Sequence, residues 1–441
     1  MTETGQQRAS DEGLVRAMGR WSLAALTVNC IIGSGVFGLP SVLAAKVGGA
    51  SVWAVLIAGA AIGIVMACFA EVASRFTETG GPYLYAQQAF GRFMGIQVGW
   101  LVWFVRLTAG AANANLFVIY LGEFWPRATQ PVPRLAILTL LIGMLAAINV
   151  RGVSAGARVS TAFTVAKLAS LGAVCVAGAF YLVATHHIVP VANAPPTADS
   201  WDSWVQAIVL LIFAYGGFEA AVISTGEARD PRRDMPFALL AALITCTVVY
   251  GLIQWVVVGV LPDPAHSQRP LADVARIVMG HGGAALIAVG GLLSIYGYLS
   301  GNLLATPRIT FALAERGDFP SLFGLVHPRF RTPYFSIFAF ALLMWVLALF
   351  GSFAGNATLS AGSRLFYYGV VCAALPVLRR KQSTTALFRL PCGTGMAVLG
   401  VLICAGGLLT RIDYSKSLVL VGAVGVAFLN WLAVRKRGLK S

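Results

Sequence analysis

The hydrophobic positions of this chain fall into twelve apolar stretches separated by short polar segments. About 20 helical residues span the roughly 30 Å hydrocarbon core of a bilayer. The stretches lie near residues 21–46, 50–74, 93–120, 134–150, 159–185, 204–224, 236–261, 284–314, 333–351, 357–378, 395–411 and 417–434. The pattern predicts an all-α polytopic membrane protein with twelve transmembrane helices.

Two of these stretches are interrupted by glycine. The first contains Gly33, Ser34 and Gly35, and the sixth contains Gly216 and Gly217. A glycine costs a helix interior roughly 1 kcal/mol relative to alanine, and a break leaves backbone groups unpaired at bilayer depth. Such groups must be buried in protein or line a wet cavity. Interrupted helices in matching positions of two halves indicate the binding site of a transporter.

The order of the helices predicts an internal repeat. Helices one to five and six to ten form two groups, and each group begins with a broken helix. Because five is odd, the second group starts on the opposite side of the membrane and runs inverted. We expect a disordered cytoplasmic tail at 1–18, repeats at 19–185 and 200–380, two further helices at 394–434 and a cytoplasmic tail at 435–441.

Three connecting segments have their own predictions. Residues 83–91 predict a short amphipathic helix on the inner surface. The segments near 186–203 and 262–283 are polar and contain proline, so we expect outer loops there. The two helices beyond the repeat are expected to serve packing or a homodimer.

Composition and charge favour a membrane protein over a nucleic-acid-binding protein. The chain is 58% hydrophobic and 11% charged, whereas a soluble domain is about 25% charged. Its net charge of +15 is unevenly distributed. With the N-terminus inside, 22 of the 32 Lys and Arg residues lie in inner segments, 7 in outer segments and 3 in spans. This asymmetry predicts cytoplasmic termini in the inner membrane and needs no nucleic-acid partner.

The first twenty residues are polar and include acids, so no cleavable signal peptide is expected. Cysteine spacing indicates no metal site, and no motif indicates a cofactor.

The two breaks have complementary chemistry. If the chain unwinds at 31–35, a half-helix begins near Gly35, and its free N–H groups and positive dipole end would hold a carboxylate. The Ser34 hydroxyl could donate one more hydrogen bond. Unwinding near 213–219 exposes carbonyls that suit an ammonium group. A carboxylate beside an ammonium indicates an α-amino acid. The alternative is that the small residues only allow close helix packing.

Lys167 is the most informative single residue. It lies nine residues beyond Arg158, about 14 Å along a helix and therefore near the bilayer midplane. An ionisable residue at this depth is by default a functional-site hypothesis. Its ammonium must find carbonyl partners or release its proton, unless the side chain extends outward to the membrane surface.

The other deep ionisable residues leave several interpretations open. Arg106 lies far inside the third helix, where it could pair with Glu219, line the substrate path or bind carbonyls. Arg364, towards the outer end of the tenth helix, is expected to be an interfacial anchor rather than a gate. Asn113 and Asn115 could form hydrogen bonds across helices.

Four groups of residues, in order along the chain, resemble bacterial permeases of the amino acid–polyamine–organocation superfamily. They are GSGVF at 33–37, EVASRF at 71–76 with GGPYLY at 80–85, GE at 226–227 with DPRRDMP at 230–236, and ATPR at 305–308 with GDFP at 317–320 and HPRFRTP at 327–333. The resemblance covers helices one to ten. It implies the five-plus-five inverted repeat of the LeuT-like fold, with the first and sixth helices unwound.

The resemblance also implies roles for residues at the breaks. The substrate carboxylate would bind Ser34 and the Gly35 N–H, and the amine would face the carbonyls of Ile31, Phe213 and Gly216. The ring of Phe213 or Tyr215 would close over the substrate.

Further candidates complete the site that the resemblance implies. Phe218 and Glu219 follow where family members often have an acid, and together with Arg106 they are candidates for the gate or the pocket. The segment around Lys167 resembles sodium-independent members, in which a lysine takes the place of a sodium ion and binds first-helix carbonyls around Gly33.

The sequence thus predicts a sodium-independent secondary transporter of amino acids that works by alternating access. A titrating Lys167 favours proton coupling. Neutral amino acids are favoured because the wall candidates are aromatic and because the positive charge of Arg106 and Lys167 beside the single deep acid, Glu219, argues against a dicationic substrate. Exchange stays open, as do cationic amino acids or polyamines, and acidic amino acids stay open if Arg106 is unpaired.

Non-transporter classes have weaker support. An ion channel would need rings of carbonyls or acids around a pore, and only one acid lies deep in the spans. A membrane enzyme would need clustered acids, histidines or a metal site, and a receptor would be expected to have a soluble signalling domain. The lipid bilayer, an amino acid and protons are the expected partners.

Overall fold

The computed structural model describes residues 19–76, 81–152, 157–185, 200–223, 230–381, 388–409 and 414–438. Within these ranges the chain forms fifteen α-helices and no strand. They are α1 (Arg20–Ile31), α2 (Gly35–Val47), α3 (Ser51–Ser74), α4 (Gly81–Phe90), α5 (Arg92–Leu121), α6 (Pro131–Val150), α7 (Ala157–Ala184), α8 (Trp201–Tyr215), α9 (Phe218–Ile223), α10 (Pro231–Val260), α11 (Pro270–Glu315), α12 (Tyr334–Phe350), α13 (Phe353–Lys381), α14 (Gly393–Leu409) and α15 (Tyr414–Gly438).

Several of the helices are suited to a bilayer. In the described residues, seven helical stretches are long and apolar enough to cross a membrane: Gly35–Ser74, Arg92–Leu121, Pro131–Val150, Lys167–Ala184, Arg233–Val260, Pro270–Glu315 and Phe353–Lys381. The outermost helices expose large apolar side chains, including Leu140, Phe180 and Leu402 at 73%, 73% and 61%. Such surfaces are favourable in lipid, in agreement with the predicted polytopic class.

The chain is non-helical at both predicted breaks. Helix α1 ends at Ile31 and α2 begins at Gly35, while α8 ends at Tyr215 and α9 begins at Phe218. Helix α1 packs against α9, and α2 packs against α8. The two broken helices therefore run antiparallel, with their breaks side by side.

A glycine allows the breaks to approach this closely. Gly217 has φ +123°, a conformation that side chains rarely adopt. A Cβ built on it would lie 2.2 Å from the Cys30 carbonyl oxygen, well inside contact distance. Glycine at this position thus allows both the backbone turn and the contact between the two breaks.

Helices α5 and α13 form the centre of the bundle, where they pack along each other. Helix α5 also packs against α11 and α12, and α13 against α3, α8 and α14. This arrangement places the middle of α5 and the middle of α13 beside the two breaks. Side chains from these helices can therefore reach the same space.

One of the predictions for connecting segments was wrong over part of its length. Within 262–283, helix α11 already begins at Pro270 and bends at Gly280, where φ is +73°. Proline suits the first position of a helix because its missing N–H would be unpaired there anyway. The predicted short helix is present as α4, and most of its residues are buried within the protein, with Tyr83 hydrogen-bonded to Asp318.

Two further predictions concern residues outside the described ranges. These are the N-terminal tail at 1–18 and residues 186–199, which make up most of the predicted outer loop at 186–203.

Candidate functional site

A cavity of about 350 Å³ lies between the two breaks. Its wall combines both breaks with the facing sides of α5 and α11, and side chains of α7 and α13 complete it. The wall includes these predicted residues: Ile31, Gly33, Ser34, Gly35, Arg106, Lys167, Phe213, Gly216 and Glu219.

Tyr215 and Phe218 do not line this cavity, which corrects the prediction for these two rings. The Tyr215 hydroxyl lies 3.1 Å from the Val55 carbonyl oxygen, on the far side of α8. Phe218 is buried against Phe69. Tyr215 follows Phe213 by two positions, which is about 200° around a helix, so the two rings point in opposite directions.

The first turn of α2 presents unused hydrogen-bond donors to the cavity. Among the described residues, nothing accepts a hydrogen bond from the N–H groups of Ser34 and Gly35. The Ser34 hydroxyl is 2% exposed and has no partner there either. No acidic residue lies in the first turn of α2, so its positive dipole end is not neutralised. Donors of this kind fit an anion.

The start of α9 differs because its own side chain neutralises it. The Gly217 N–H donates to Glu219 Oε2 at 2.8 Å. A carboxylate at this position satisfies an orphan donor and complements the helix dipole. Of the two half-helix N-termini, α2 is therefore the one available to a ligand.

Glu219 lies at the centre of a buried polar cluster. Its Oε1 accepts from Arg364 Nε at 3.2 Å and from the Tyr367 hydroxyl at 3.1 Å, and Oε2 accepts from the Tyr368 hydroxyl at 3.1 Å. Arg364 also donates to the Phe213 carbonyl at 3.3 Å. The arginine that pairs with Glu219 is thus Arg364, not Arg106.

The expected anchor role of Arg364 was wrong for the same reason. The side chain is buried at 4% exposure and directed at the broken helix rather than at the membrane surface. Helix α13 packs directly against α8, and this contact turns the guanidinium towards Glu219.

Arg106 lines the cavity without a partner. Its guanidinium makes no hydrogen bond or ion pair with any described residue, although it lies within electrostatic range of Cys30 and Glu219. The Asn302 amide donates to the Arg106 carbonyl at 2.9 Å and so holds α5 against α11. The cavity therefore contains a cation with all of its donors unused.

The two asparagines of α5 differ in their partners. Asn113 donates to the Ala109 carbonyl of its own helix at 2.8 Å, and its Oδ1 is buried without a donor in the described part of the chain. Asn115 bonds across helices, since its Oδ1 accepts from Arg134 of α6 at 2.9 Å. The prediction of bonds between helices was thus right for Asn115 and wrong for Asn113.

Lys167 binds the end of α1. Its Nζ lies 3.1 Å from the Asn29 carbonyl oxygen, 2.6 Å from Asn29 Oδ1 and 2.6 Å from the Ile32 carbonyl oxygen. An ammonium has three N–H donors, and all three have an acceptor. The side chain is 6% exposed, so it does not extend to the surface.

Comparison with known proteins decides the class of this chain. The amino acid permease family model matches residues 18–429. The chain belongs to the amino acid permease family. It is a multi-pass membrane transporter with a small-molecule substrate, and not an enzyme.

The permease is similar to several proteins of Bacillus subtilis (strain 168) that are named as transporters. It is 27% identical to the methylthioribose transporter over 98% of this chain and 94% of the relative. It is 29% identical to the serine/threonine exchanger SteT over 77% of this chain and 78% of the relative. It is 27% identical to a putative arginine/ornithine antiporter over 70% and 72%.

Sequence reasoning about the permease missed Tyr250. Its hydroxyl lies 3.0 Å from both the Ile31 and the Ala214 carbonyl oxygens, so one side chain serves the ends of α1 and α8. A buried tyrosine usually finds a hydrogen-bond partner for its hydroxyl, and a lone tyrosine in the apolar helix α10 was the available signal.

The backbone carbonyls of the permease cavity are only partly free. Ile31 and Phe213 already accept hydrogen bonds from Tyr250 and Arg364, so these two of the predicted amine ligands are occupied. The Cys30 and Gly33 carbonyls accept none from the residues that the structure describes. Together with Asn113 Oδ1 they are acceptors available to an ammonium group at the cavity wall.

Proposed function

We propose that this permease is a sodium-independent secondary transporter of amino acids in the inner membrane, with both termini in the cytoplasm. The observation that carries the proposal is the start of α2, where Ser34 and Gly35 line the cavity. Neither their N–H groups nor the buried Ser34 hydroxyl has a partner among the described residues. Free carbonyls of Cys30 and Gly33 lie on the same break. A carboxylate and an ammonium on one carbon atom fit this combination of donors and acceptors.

We propose a five-plus-five inverted repeat within twelve spans as the framework of transport. Corresponding helices pack on each other, namely α2 with α8, α3 with α10, α5 with α11, and α6 with α12. The cross pairs also match, because α5 packs on α13 as α11 packs on α7. A two-fold axis between the halves would generate such pairs, and alternating access follows when one unit rocks against the other.

Sodium independence is proposed from Lys167. Its ammonium bonds to three oxygens at the end of α1 and so supplies a positive charge where the resemblance implies an ion. We further propose that protons drive uptake. Loss of a proton from the buried Lys167 amine would weaken its hydrogen bonds to the end of α1, next to the first break. Exchange is the second candidate, supported by the relatives named as an exchanger and an antiporter.

The repeat boundaries and the oligomeric state are further proposals. The repeat boundaries predicted from the sequence, 19–185 and 200–380, stay as proposed. A homodimer through α14 and α15 stays a prediction, supported by the exposed apolar side chains of Leu402, Leu409 and Leu429.

Reconstituted vesicles test the proposed function. Purified permease in proteoliposomes should show saturable counterflow of a labelled α-amino acid. Its decarboxylated and N-acetylated analogues should compete at least about tenfold more weakly, because each loses a charge-assisted hydrogen bond. Absence of counterflow with every α-amino acid would overturn the proposal.

Two serines of one helix provide a matched pair for the same assay. Ser34→Ala should weaken substrate binding about threefold to tenfold by removing a hydrogen-bond donor. Ser41→Ala should leave binding unchanged, because the Ser41 hydroxyl is also buried and unbonded in α2 but lies outside the cavity wall. Equal effects of both substitutions would show that Ser34 does not contact the substrate.

A further inference from the structure

The charges around the cavity do not balance. Three cations, Arg106, Lys167 and Arg364, and one anion, Glu219, line its wall. The wall therefore has an excess of two positive charges, while an α-amino acid with a neutral side chain adds no net charge. Burying an unpaired charge is unfavourable, so the role of each cation matters for the substrate.

Two of the cations already bind acceptors within the protein. Lys167 has an acceptor for each of its three N–H groups, all on α1. Arg364 forms an ion pair with Glu219 and a hydrogen bond with the Phe213 carbonyl. Neither cation can bind a ligand without losing hydrogen bonds that stabilise the broken helices.

Glu219 has no lone pair left to accept a hydrogen bond from Arg106 when the substrate is absent. A carboxylate has about four lone-pair sites, and Glu219 already accepts four hydrogen bonds, from Arg364, Tyr367, Tyr368 and the Gly217 N–H. A fifth donor would have to displace one of these. Among the residues that the structure describes, Arg106 is thus left with five unused N–H groups at the cavity wall.

We propose that this permease transports acidic amino acids and that Arg106 binds the side-chain carboxylate of the substrate. The inference rests on the proposed transport of α-amino acids. The start of α2 takes the α-carboxylate, and the free carbonyls of Cys30 and Gly33 take the ammonium. A second carboxylate then pairs with the Arg106 guanidinium, whose planar fork suits bidentate binding. This replaces the preference for neutral substrates, because the sequence left acidic amino acids open if Arg106 is unpaired.

Isosteric substrates test the inference directly. Binding of L-glutamate, L-glutamine, L-aspartate and L-asparagine to the purified full-length permease is measured by calorimetry in detergent. Each acid should bind at least about tenfold more tightly than its amide, as expected for an added charge-assisted hydrogen bond. Arg106→Gln should weaken glutamate binding by the same factor and leave glutamine binding within about threefold.

Two further variants separate recognition from folding. Arg106→Lys should retain part of the preference, because it keeps the charge but loses the fork. Arg151→Gln is the matched control, since Arg151 is exposed at the end of α6, outside the cavity wall, and should bind all four ligands as the wild type does.

The outcomes distinguish this inference from the proposed function. Amides that bind the wild type as tightly as the acids would overturn the acidic substrate and leave amino acid transport standing. The same holds if Arg106→Gln weakens acids and amides equally. If no α-amino acid of any class binds, the proposed function fails and the acidic preference fails with it. The wild-type comparison decides even if the variants do not fold.

Discussion

Lys167 and Arg364 each hold one of the two broken helices by its backbone. Lys167 donates to the carbonyls of Asn29 and Ile32, and Arg364 donates to the carbonyl of Phe213. A break at bilayer depth is stable only if its loose backbone groups find partners. These two cations therefore stabilise the broken helices, whereas Arg106, which has no partner among the described residues, is the one proposed to bind the ligand.

Removal of Lys167 should disable transport without preventing production of the protein. Lys167→Ala leaves three oxygens at the end of α1 without a donor, and net uptake should fall at least tenfold while the amount in the membrane changes less than twofold. Lys167→Arg should not restore uptake, because guanidinium is larger and does not release its proton. Uptake and surface amount are measured in the same cells.

Arg134 provides the comparison for this prediction. It binds the carbonyls of Ala348 and Gly351 outside the cavity, so Arg134→Ala should affect stability rather than substrate binding. Wild-type uptake by Lys167→Ala would show that the ammonium contributes only packing.

At the scale of elements, glycine has a different role at each break. Gly35 packs against α8, since a Cβ there would lie 3.0 Å from the Ala214 Cα. A large residue at Gly35 would therefore disturb helix packing as well as ligand binding, and the close-packing interpretation is correct for that position. Ser34→Ala separates the effect on ligand binding from the effect on helix packing, because the substitution adds no atoms to the contact with α8.

Gly217 should be the glycine whose replacement is most damaging. Gly217→Ala places a Cβ 2.2 Å from the Cys30 carbonyl oxygen and keeps a strained φ of +123°. Strain of this kind costs on the order of 1–3 kcal/mol. We expect a clearly lower midpoint of thermal unfolding in detergent and loss of transport.

Gly251→Ala is the matched control for Gly217→Ala. Gly251 lies inside α10 with no atom within 4 Å of an added Cβ, and alanine is favoured over glycine by roughly 1 kcal/mol in a helix. The midpoint should stay the same or rise. If both variants have the same midpoint as the wild type, the contact between the breaks is not a constraint.

At the scale of the whole molecule, ion pairs tie distant helices together beyond the cavity. Glu71 of α3 binds Arg379 of α13 at 2.6 Å, and Asp318, which follows α11, binds Arg92 of α5 at 2.7 Å. Glu123, just beyond α5, binds Arg276 of α11. If the proposed alternating access separates these elements, such pairs would contribute to the energy difference between the conformations.

Uptake should not depend on sodium and should increase with an inward proton gradient. The physical reason is that Lys167 already supplies the cation at the end of α1, and its protonation state would couple to the position of that end. Initial uptake into proteoliposomes is compared in sodium and choline buffers at fixed pH, and then at two external pH values. Strong dependence on sodium would contradict the role of Lys167. Equal uptake at the two external pH values would favour exchange.

The sequence by itself determined that the chain forms long apolar helices and that two of its apolar stretches break at glycines. These features depend on local physics, because apolar length sets a span and glycine interrupts a helix wherever it lies. The family resemblance followed from the same residues. The start of α11 was missed because its first turns are polar, and the sequence pattern could not distinguish an amphipathic helix from a loop.

Only the tertiary structure decided which side chains meet. Arg364 and Glu219 lie 145 residues apart in the chain, and their pairing depends on how α13 is rotated against α8. Arg106 of α5 forms no such pair with a described residue, and the helical phase of α8 turns Tyr215 away from the cavity. Partner choice among buried charges is set by side-chain direction across packed helices, and one-dimensional spacing does not contain that information.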